Sequence, residues 1–209
     1  MIAIVDYGVG NLFSLRSSLE AIGAQSAVTG DPAALERADG VILPGVGAFA
    51  DAADKLRLSG LDRTVKAVAA AGKPLLGVCL GMQLLFDRSL EFGEHAGLGL
   101  ISGSVAPMLG VVPPDYKIPQ IGWNGLRFPA GREKSRLFRY VEEGDCVYFV
   151  HSYYAADCAQ AVTATTEYGA ELTAAVEQSN VYGCQFHPEK SGGVGLGILR
   201  AFCEIGGAL

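Results

Sequence analysis

Three short apolar runs constrain this chain most: Ile2 to Val5, Gly40 to Leu43 and Leu75 to Val78. None carries a polar residue, which is the mark of strands buried on both faces. Each ends at a glycine-containing turn and gives way to a helical pattern. After the first, Asp6-Tyr7-Gly8-Val9-Gly10-Asn11 leads into a helix with Leu12, Leu15, Leu19 and Ile22 on one face, and Asn11 stands where an N-cap belongs. After the second, Pro44-Gly45-Val46-Gly47-Ala48-Phe49 precedes helices around 51–58 and 61–71. Strand and helix alternating in this way predict a parallel sheet with helices on both faces. From Gly97 to about Tyr168 the chain changes to short pieces rich in Gly, Pro, Val and Tyr, which predict a mixed or antiparallel extension of the sheet. The expected fold class is α/β, and the 209 residues, 50% apolar, fit one domain over 1–209.

The third run carries the chemistry. In Gly77-Val78-Cys79-Leu80-Gly81 a cysteine occupies the sharp strand-to-helix turn of a nucleophile elbow, with the helix read from Gly81 through Phe86. A cysteine in an apolar stretch is more often a small buried hydrophobe, so partners must decide. They come at 181–186, an apolar run that predicts a strand and delivers His187-Pro188-Glu189-Lys190-Ser191 ahead of a helix from about Gly195 to Glu204. A histidine at the carboxyl end of a parallel strand is mounted where a general base works, and Glu189 can orient it. The bland reading of His-Pro-Glu is a turn with two polar ends. Taken together, Cys79, His187 and Glu189 make an acyl-transfer triad. Backbone N–H groups from the glycine-rich loop, Gly45, Val46 and Gly47, and from Leu80 are candidates for an oxyanion hole.

Composition excludes other classes. A net charge of -6 with scattered Lys and Arg opposes binding to nucleic acid or an anionic membrane. No apolar run reaches the ~20 residues of a membrane span, and Met1 leads straight into IAIVDYG, so the cytoplasm is the expected compartment. The five cysteines are odd in number and widely spaced without C-x-x-C, which predicts free thiols and no metal site. The first glycine turn lacks the dinucleotide fingerprint because Phe13 stands where a glycine is needed; it is either a tight turn or a contact surface. Trp123 reads equally as a packing residue or an interface anchor. His151 reads as a hydrogen-bonded structural residue that could also line a pocket, and His95 as solvated.

LPGVGAF at 43–49, GVCLGMQLLF at 77–86 and GCQFHPEKS at 183–191 resemble the class I glutamine amidotransferases. With IVDYGVGNLFSL, QIGWN, YFVHSYY and TTEYG added, nearly the whole chain is similar to the glutaminase subunits of imidazole glycerol phosphate synthases. The resemblance implies a three-layer, flavodoxin-like fold, glutamine as substrate, a Cys79 thioester and no cofactor. It implies that Gly47 and Leu80 supply the oxyanion hole, that Gln83, Glu91, Ser152 and Tyr153 hold glutamine, and that Asn11, Trp123, Asn124 and Lys190 face a partner. That partner would be a cyclase subunit with a (β/α)8 barrel, forming a heterodimer and using the released ammonia in histidine biosynthesis. The family further implies weak hydrolysis until the partner binds its nucleotide, for which a peptide flip in the Pro44–Gly47 loop is the expected switch. The alternatives are the glutaminase subunit of another class I amidotransferase and a non-catalytic regulatory subunit on the same fold.

Overall fold

In the computed structural model, which describes residues 1–209, the three apolar runs are interior strands of one large sheet. The first half of the chain alternates strand and helix: β1 (Ile2–Val5), α1 (Leu12–Ala21), β2 (Ser26–Thr29), α2 (Pro32–Arg37), β3 (Gly40–Leu43), α3 (Phe49–Leu58), α4 (Leu61–Ala70) and β4 (Leu75–Val78). A single helical turn, α5 (Leu80–Gln83), follows, and then strands dominate: β5 (Phe86–Ser89), β6 (His95–Ala96), β7 (Ile101–Pro107), β8 (Gln120–Arg127), β9 (Cys146–His151), β10 (Tyr153–Ala156), β11 (Val162–Glu167), β12 (Glu171–Gln178) and β13 (Val181–Cys184). Helix α6 (Gly192–Ile205) closes the chain.

The large sheet runs β2-β1-β3-β4-β13-β12-β11-β8-β9. Its first five strands are parallel and the rest antiparallel, the predicted extension. A second sheet, β10-β7-β5-β6, lies apart from it. The apolar runs lack polar alternation because both faces are covered. Ala3, Val5, Val41, Leu43 and Leu75 pack with Leu35, Phe49, Leu61 and Val65 from α2, α3 and α4. Ile2, Ile4, Ile42, Leu76 and Val78 point the other way, onto Leu15 and Leu19 of α1 and Ile198, Leu199 and Phe202 of α6. Successive side chains of a strand alternate between faces, so each run feeds two cores.

Four local readings change. The helix predicted through Phe86 stops at Gln83, and Phe86 opens a strand of the second sheet. Helix α6 starts at Gly192, earlier than expected. Asn11 occupies the N-cap position of α1, but its side chain makes no capping hydrogen bond. Strand β2 and helix α2 have no counterpart in the sequence reading; α2 begins on Asp31, whose side chain accepts from the Ala33 N–H, with Pro32 at the first helical position.

The register of β4 with β13 places the site. Val78 pairs with Cys184 in parallel, and the Cys79 N–H donates to the Cys184 carbonyl at 2.8 Å. The residues just past each strand, Cys79 on one and Gln185 to His187 on the other, therefore leave the sheet side by side at its carboxyl edge.

Candidate active site

Cys79 has φ 55 and ψ -113, a backbone that side chains rarely adopt and that costs on the order of 1–3 kcal/mol. Two glycines make the turn possible. A Cβ on Gly77 would stand 2.7 Å from the Gly81 carbonyl oxygen, and one on Gly81 would stand 1.9 Å from that of Leu43. The elbow is thus pressed directly onto the end of β3 and onto the loop that follows it. Cys79 is almost wholly buried.

His187 and Glu189 are 3% and 1% exposed, and Nδ1 of the imidazole lies 2.8 Å from Oε1 of the carboxylate. The 188–190 turn that carries Glu189 is tied down by Ser191, whose hydroxyl donates to the His187 carbonyl and accepts from the Tyr148 N–H. Burial alone would lower the pKa of His187; hydrogen bonding to Cys79 and Glu189, and their negative charge, outweigh it and raise the value to about 9.

The glycine-rich loop has a clamped stem and an open tip. The buried Tyr7 hydroxyl donates to the Pro44 carbonyl at 2.8 Å, and Gly10 lies so close that a Cβ there would meet Pro44 Cβ at 2.8 Å. Burial, with Cys79 adding to it, pushes the Tyr7 phenol well above its ordinary value, so it stays a donor. Gly45 packs against Leu80 and Gly81. Beyond it Val46 is exposed, Gly47 has φ +94 with open space where a side chain would go, and the N–H groups of both lack an acceptor within the chain.

A cavity of about 530 Å³ opens over Cys79. Its lining brings together Cys79, His187, Val46, Gly47, Leu80, Gln83, Glu91, Ser152 and Tyr153 from the sequence reading; Gly45 stays behind the wall. Ser152 and Tyr153 arrive where the chain leaves β9 of the large sheet for β10 of the small one. One carboxylate oxygen of Glu91 accepts from the Phe49 N–H at the start of α3, which leaves the other for a ligand. Gln83 donates both amide hydrogens, to the Tyr153 carbonyl (3.2 Å) and to Oε1 of Gln185 (2.9 Å), so only its own oxygen remains to offer.

Sequence reasoning missed Gln185. It is fully buried, and its Nε2 lies 3.8 Å from the Cys79 sulfur. A signal existed, since an amide inside the run 181–186 must find buried partners. Phe92 and Pro119 also line the cavity; Phe92 has φ 52 and meets Tyr153 edge to face. His151 both lines the cavity and is hydrogen-bonded. Its ring nitrogens face the Tyr153 carbonyl and Oε1 of Gln120, while burial lowers its pKa to about 4. A neutral ring has one N–H for these two acceptors, so one contact goes without a proton.

Of the residues expected to face a partner, Trp123 is 63% exposed and stacks edge to face on Tyr148, over whose ring the Lys190 ammonium also sits, 5.7 Å from its centre. Asn124 accepts from Nε2 of Gln120 and donates to the Glu167 carbonyl. Asn11 is half-buried, at the start of α1, which packs on the 188–190 turn.

Residues 3–204 match the glutamine amidotransferase class-I family. The imidazole glycerol phosphate synthase subunit HisH of Wolinella succinogenes is 50% identical over 208 residues, 99% of this chain and 100% of that protein. The same subunit from Moorella thermoacetica is 48% identical over 205 residues, 98% and 94% of the two chains. Among solved structures, a glutamine amidotransferase superposes with a TM-score of 0.76 at 19% identity, covering 99% of this chain and 100% of that one. Thermotoga maritima PurLQS does so with 0.73 at 19%, covering 98% and 97%. At such identities the superpositions speak for the fold.

Proposed function

The chain belongs to the class I glutamine amidotransferases and, within them, to the HisH subunits of imidazole glycerol phosphate synthase, and we propose on that premise that Cys79, His187 and Glu189 hydrolyse glutamine for a synthase partner. The observation that carries this reading is the juxtaposition at the β4–β13 edge: a strained, buried Cys79 beside a His187 held at 2.8 Å by a buried Glu189.

The Cys79 sulfur attacks the side-chain amide carbon of glutamine while His187 holds the proton. The oxyanion that forms is received by N–H groups of Val46 or Gly47 and of Leu80, the first residue of α5, whose N–H points out of the helix. His187 gives its proton to the leaving nitrogen, ammonia departs, and a thioester remains. Water, deprotonated by His187, then releases glutamate. Glu91 faces the ammonium of glutamine, the free oxygen of Gln83 accepts from an N–H of the ligand, and Ser152 and Tyr153 hold its carboxylate.

We assign the Trp123, Asn124 and Lys190 face, with Asn11, to a (β/α)8 cyclase subunit in a heterodimer. Ammonia must cross that interface out of water, because in bulk water near neutral pH it is almost wholly ammonium and no nucleophile. The clamped stem and open tip of the loop support the peptide after Val46 as the switch that completes the oxyanion hole when the partner binds its nucleotide. We read residues 1–209 as one amidotransferase domain. No helix is long and apolar enough to cross a membrane, and we place the work of the chain in the cytoplasm. The test is glutamine hydrolysis by wild type and Cys79→Ala, each alone and with the cyclase subunit and its nucleotide. Wild-type activity that rises with the partner and vanishes in Cys79→Ala is expected. Hydrolysis surviving Cys79→Ala removes the triad, and rates indifferent to the partner remove the switch.

A further inference from the structure

We propose that Gln185 is a further catalytic group, which donates an amide N–H to the Cys79 sulfur in an orientation enforced by the main-chain carbonyl of Tyr153. The inference rests on the reading of Cys79 as the nucleophile.

An amide side chain can turn by 180°, exchanging donor for acceptor, so a Gln beside a sulfur means nothing until its orientation is known. Here the neighbours settle it. The Tyr153 carbonyl can only accept, so the atom of Gln83 that lies 3.2 Å from it is Nε2. That same Nε2 lies 2.9 Å from the Gln185 amide and must meet its oxygen, because two NH₂ groups cannot face each other at that distance. The Nε2 of Gln185 is then the atom left facing the Cys79 sulfur, at 3.8 Å. Turning either amide sets acceptor against acceptor at Tyr153 or donor against donor between the two glutamines. Neither amide titrates, so the polarity of the relay does not change with pH. Gln185 is fully buried, so no water can substitute for these partners.

A donor aimed at sulfur favours thiolate over thiol. The sulfur carries negative charge twice in the cycle, before attack and again on leaving. In the second step water adds to the thioester carbon as His187 takes its proton, and the C–S bond breaks with its electron pair returning to sulfur. Gln185 meets that returning charge and so makes sulfur a better leaving group. In the thioester the sulfur is nearly neutral and the contact counts for little. The donor therefore acts on ionisation and deacylation more than on binding glutamine. The relay also ties Cys79 to the Tyr153 segment of the cavity wall.

The experiment uses the full chain and iodoacetamide, an uncharged alkylating agent, with labelling of Cys79 followed by mass spectrometry so that the other cysteines do not interfere. Gln185→Leu removes the donor and Gln185→Glu replaces it with an acceptor. At pH 7 the labelling rate is expected to fall by about tenfold in Gln185→Leu, and further in Gln185→Glu, from loss of a hydrogen bond to a charged group. At alkaline pH, where the thiol is ionised in every form, the rates should converge. Equal rates at pH 7, or a deficit that persists at alkaline pH as misfolding would produce, overturn the proposal. If neither variant folds, the wild type decides: the side-chain amide protons of Gln185 should shift in NMR spectra as Cys79 ionises, and resonances that stay still overturn the proposal. Alkylation involves no glutamine, so this reading and the glutaminase reading fail separately.

Discussion

Gly81→Ala probes the contact on which the elbow and the Pro44–Gly47 loop both depend. The added Cβ would stand 1.9 Å from the Leu43 carbonyl oxygen, 2.8 Å from its carbon and 3.0 Å from the carbonyl carbon of Pro44. All three are backbone atoms, so no side-chain rotation relieves the clash. Restoring ordinary van der Waals contact requires the elbow and the end of β3 to part by about 1.5 Å. Gly81 does not have a positive φ, so the effect is wedging alone, without conformational strain. Overpacking of this kind costs about 1–3 kcal/mol, or roughly 3–10 °C in melting temperature for a chain of this size. The catalytic loss should be larger in proportion. Cys79 lies on one side of the wedge and the Pro44–Gly47 loop on the other, and a displacement of about 1 Å between reacting groups lowers the rate on the order of 100-fold. Thermal unfolding and steady-state glutamine hydrolysis with the partner present would measure both, with kcat falling and KM little changed. Gly72→Ala is the control: φ +78 with nothing within 4 Å, so it introduces strain of about 1 kcal/mol far from the site and leaves kcat alone. A Gly81→Ala chain that melts within a degree of wild type and turns over normally would refute the wedge.

Glu189→Gln should bring the His187 pKa down from about 9 toward its ordinary 6.5, read by NMR titration. A folded value above the unfolded one contributes stability that is complete below about pH 6.5 and lost as pH rises through about 9. Denaturant midpoints of the wild type should therefore fall across that window, and those of Glu189→Gln should fall less. Tyr7→Phe removes the donor to the buried Pro44 carbonyl. A loss of about 1–2 kcal/mol in chemical denaturation is expected, with kcat lowered severalfold as the loop stem loosens. Trp123→Ala, at a largely exposed position, should leave the melting temperature unchanged and weaken binding of the cyclase subunit by about 30-fold or more in calorimetry.

Much of this was legible in the sequence because it was written locally. β1, β3 and β4 follow from unbroken apolar runs, and Cys79 follows from the glycines at 77 and 81, which only a sharp turn between strand and helix requires. Leu84, Leu85 and Phe86 misled for the opposite reason: residues buried on every side carry no period, so the run could not say that α5 lasts one turn and that Phe86 belongs to another sheet. β2 is half-buried along its length and offers neither a continuous apolar run nor clean alternation. Gln185 lay within a strand pattern and took on meaning only when β13 was found beside β4, which depends on a pairing 106 residues apart in sequence. The orientation of Gln83 was invisible for the same reason, since it depends on the Tyr153 carbonyl 70 residues away.

The parallel pairing of β4 and β13 bears on how this enzyme can be inhibited. Cys79 and His187 hang from neighbouring strands joined by main-chain hydrogen bonds, so their separation is a property of the sheet, one that binding of a partner is not expected to change. The tip of the Pro44–Gly47 loop has no such anchor. Simple alkylating warheads, which need only the sulfur anion, are therefore expected to label the free subunit and the assembled enzyme at similar rates. Electrophiles that pass through a tetrahedral adduct should favour the assembly. The ratio of the two labelling rates would serve as a gauge of how far the loop has closed, readable in a crude mixture without following ammonia at all.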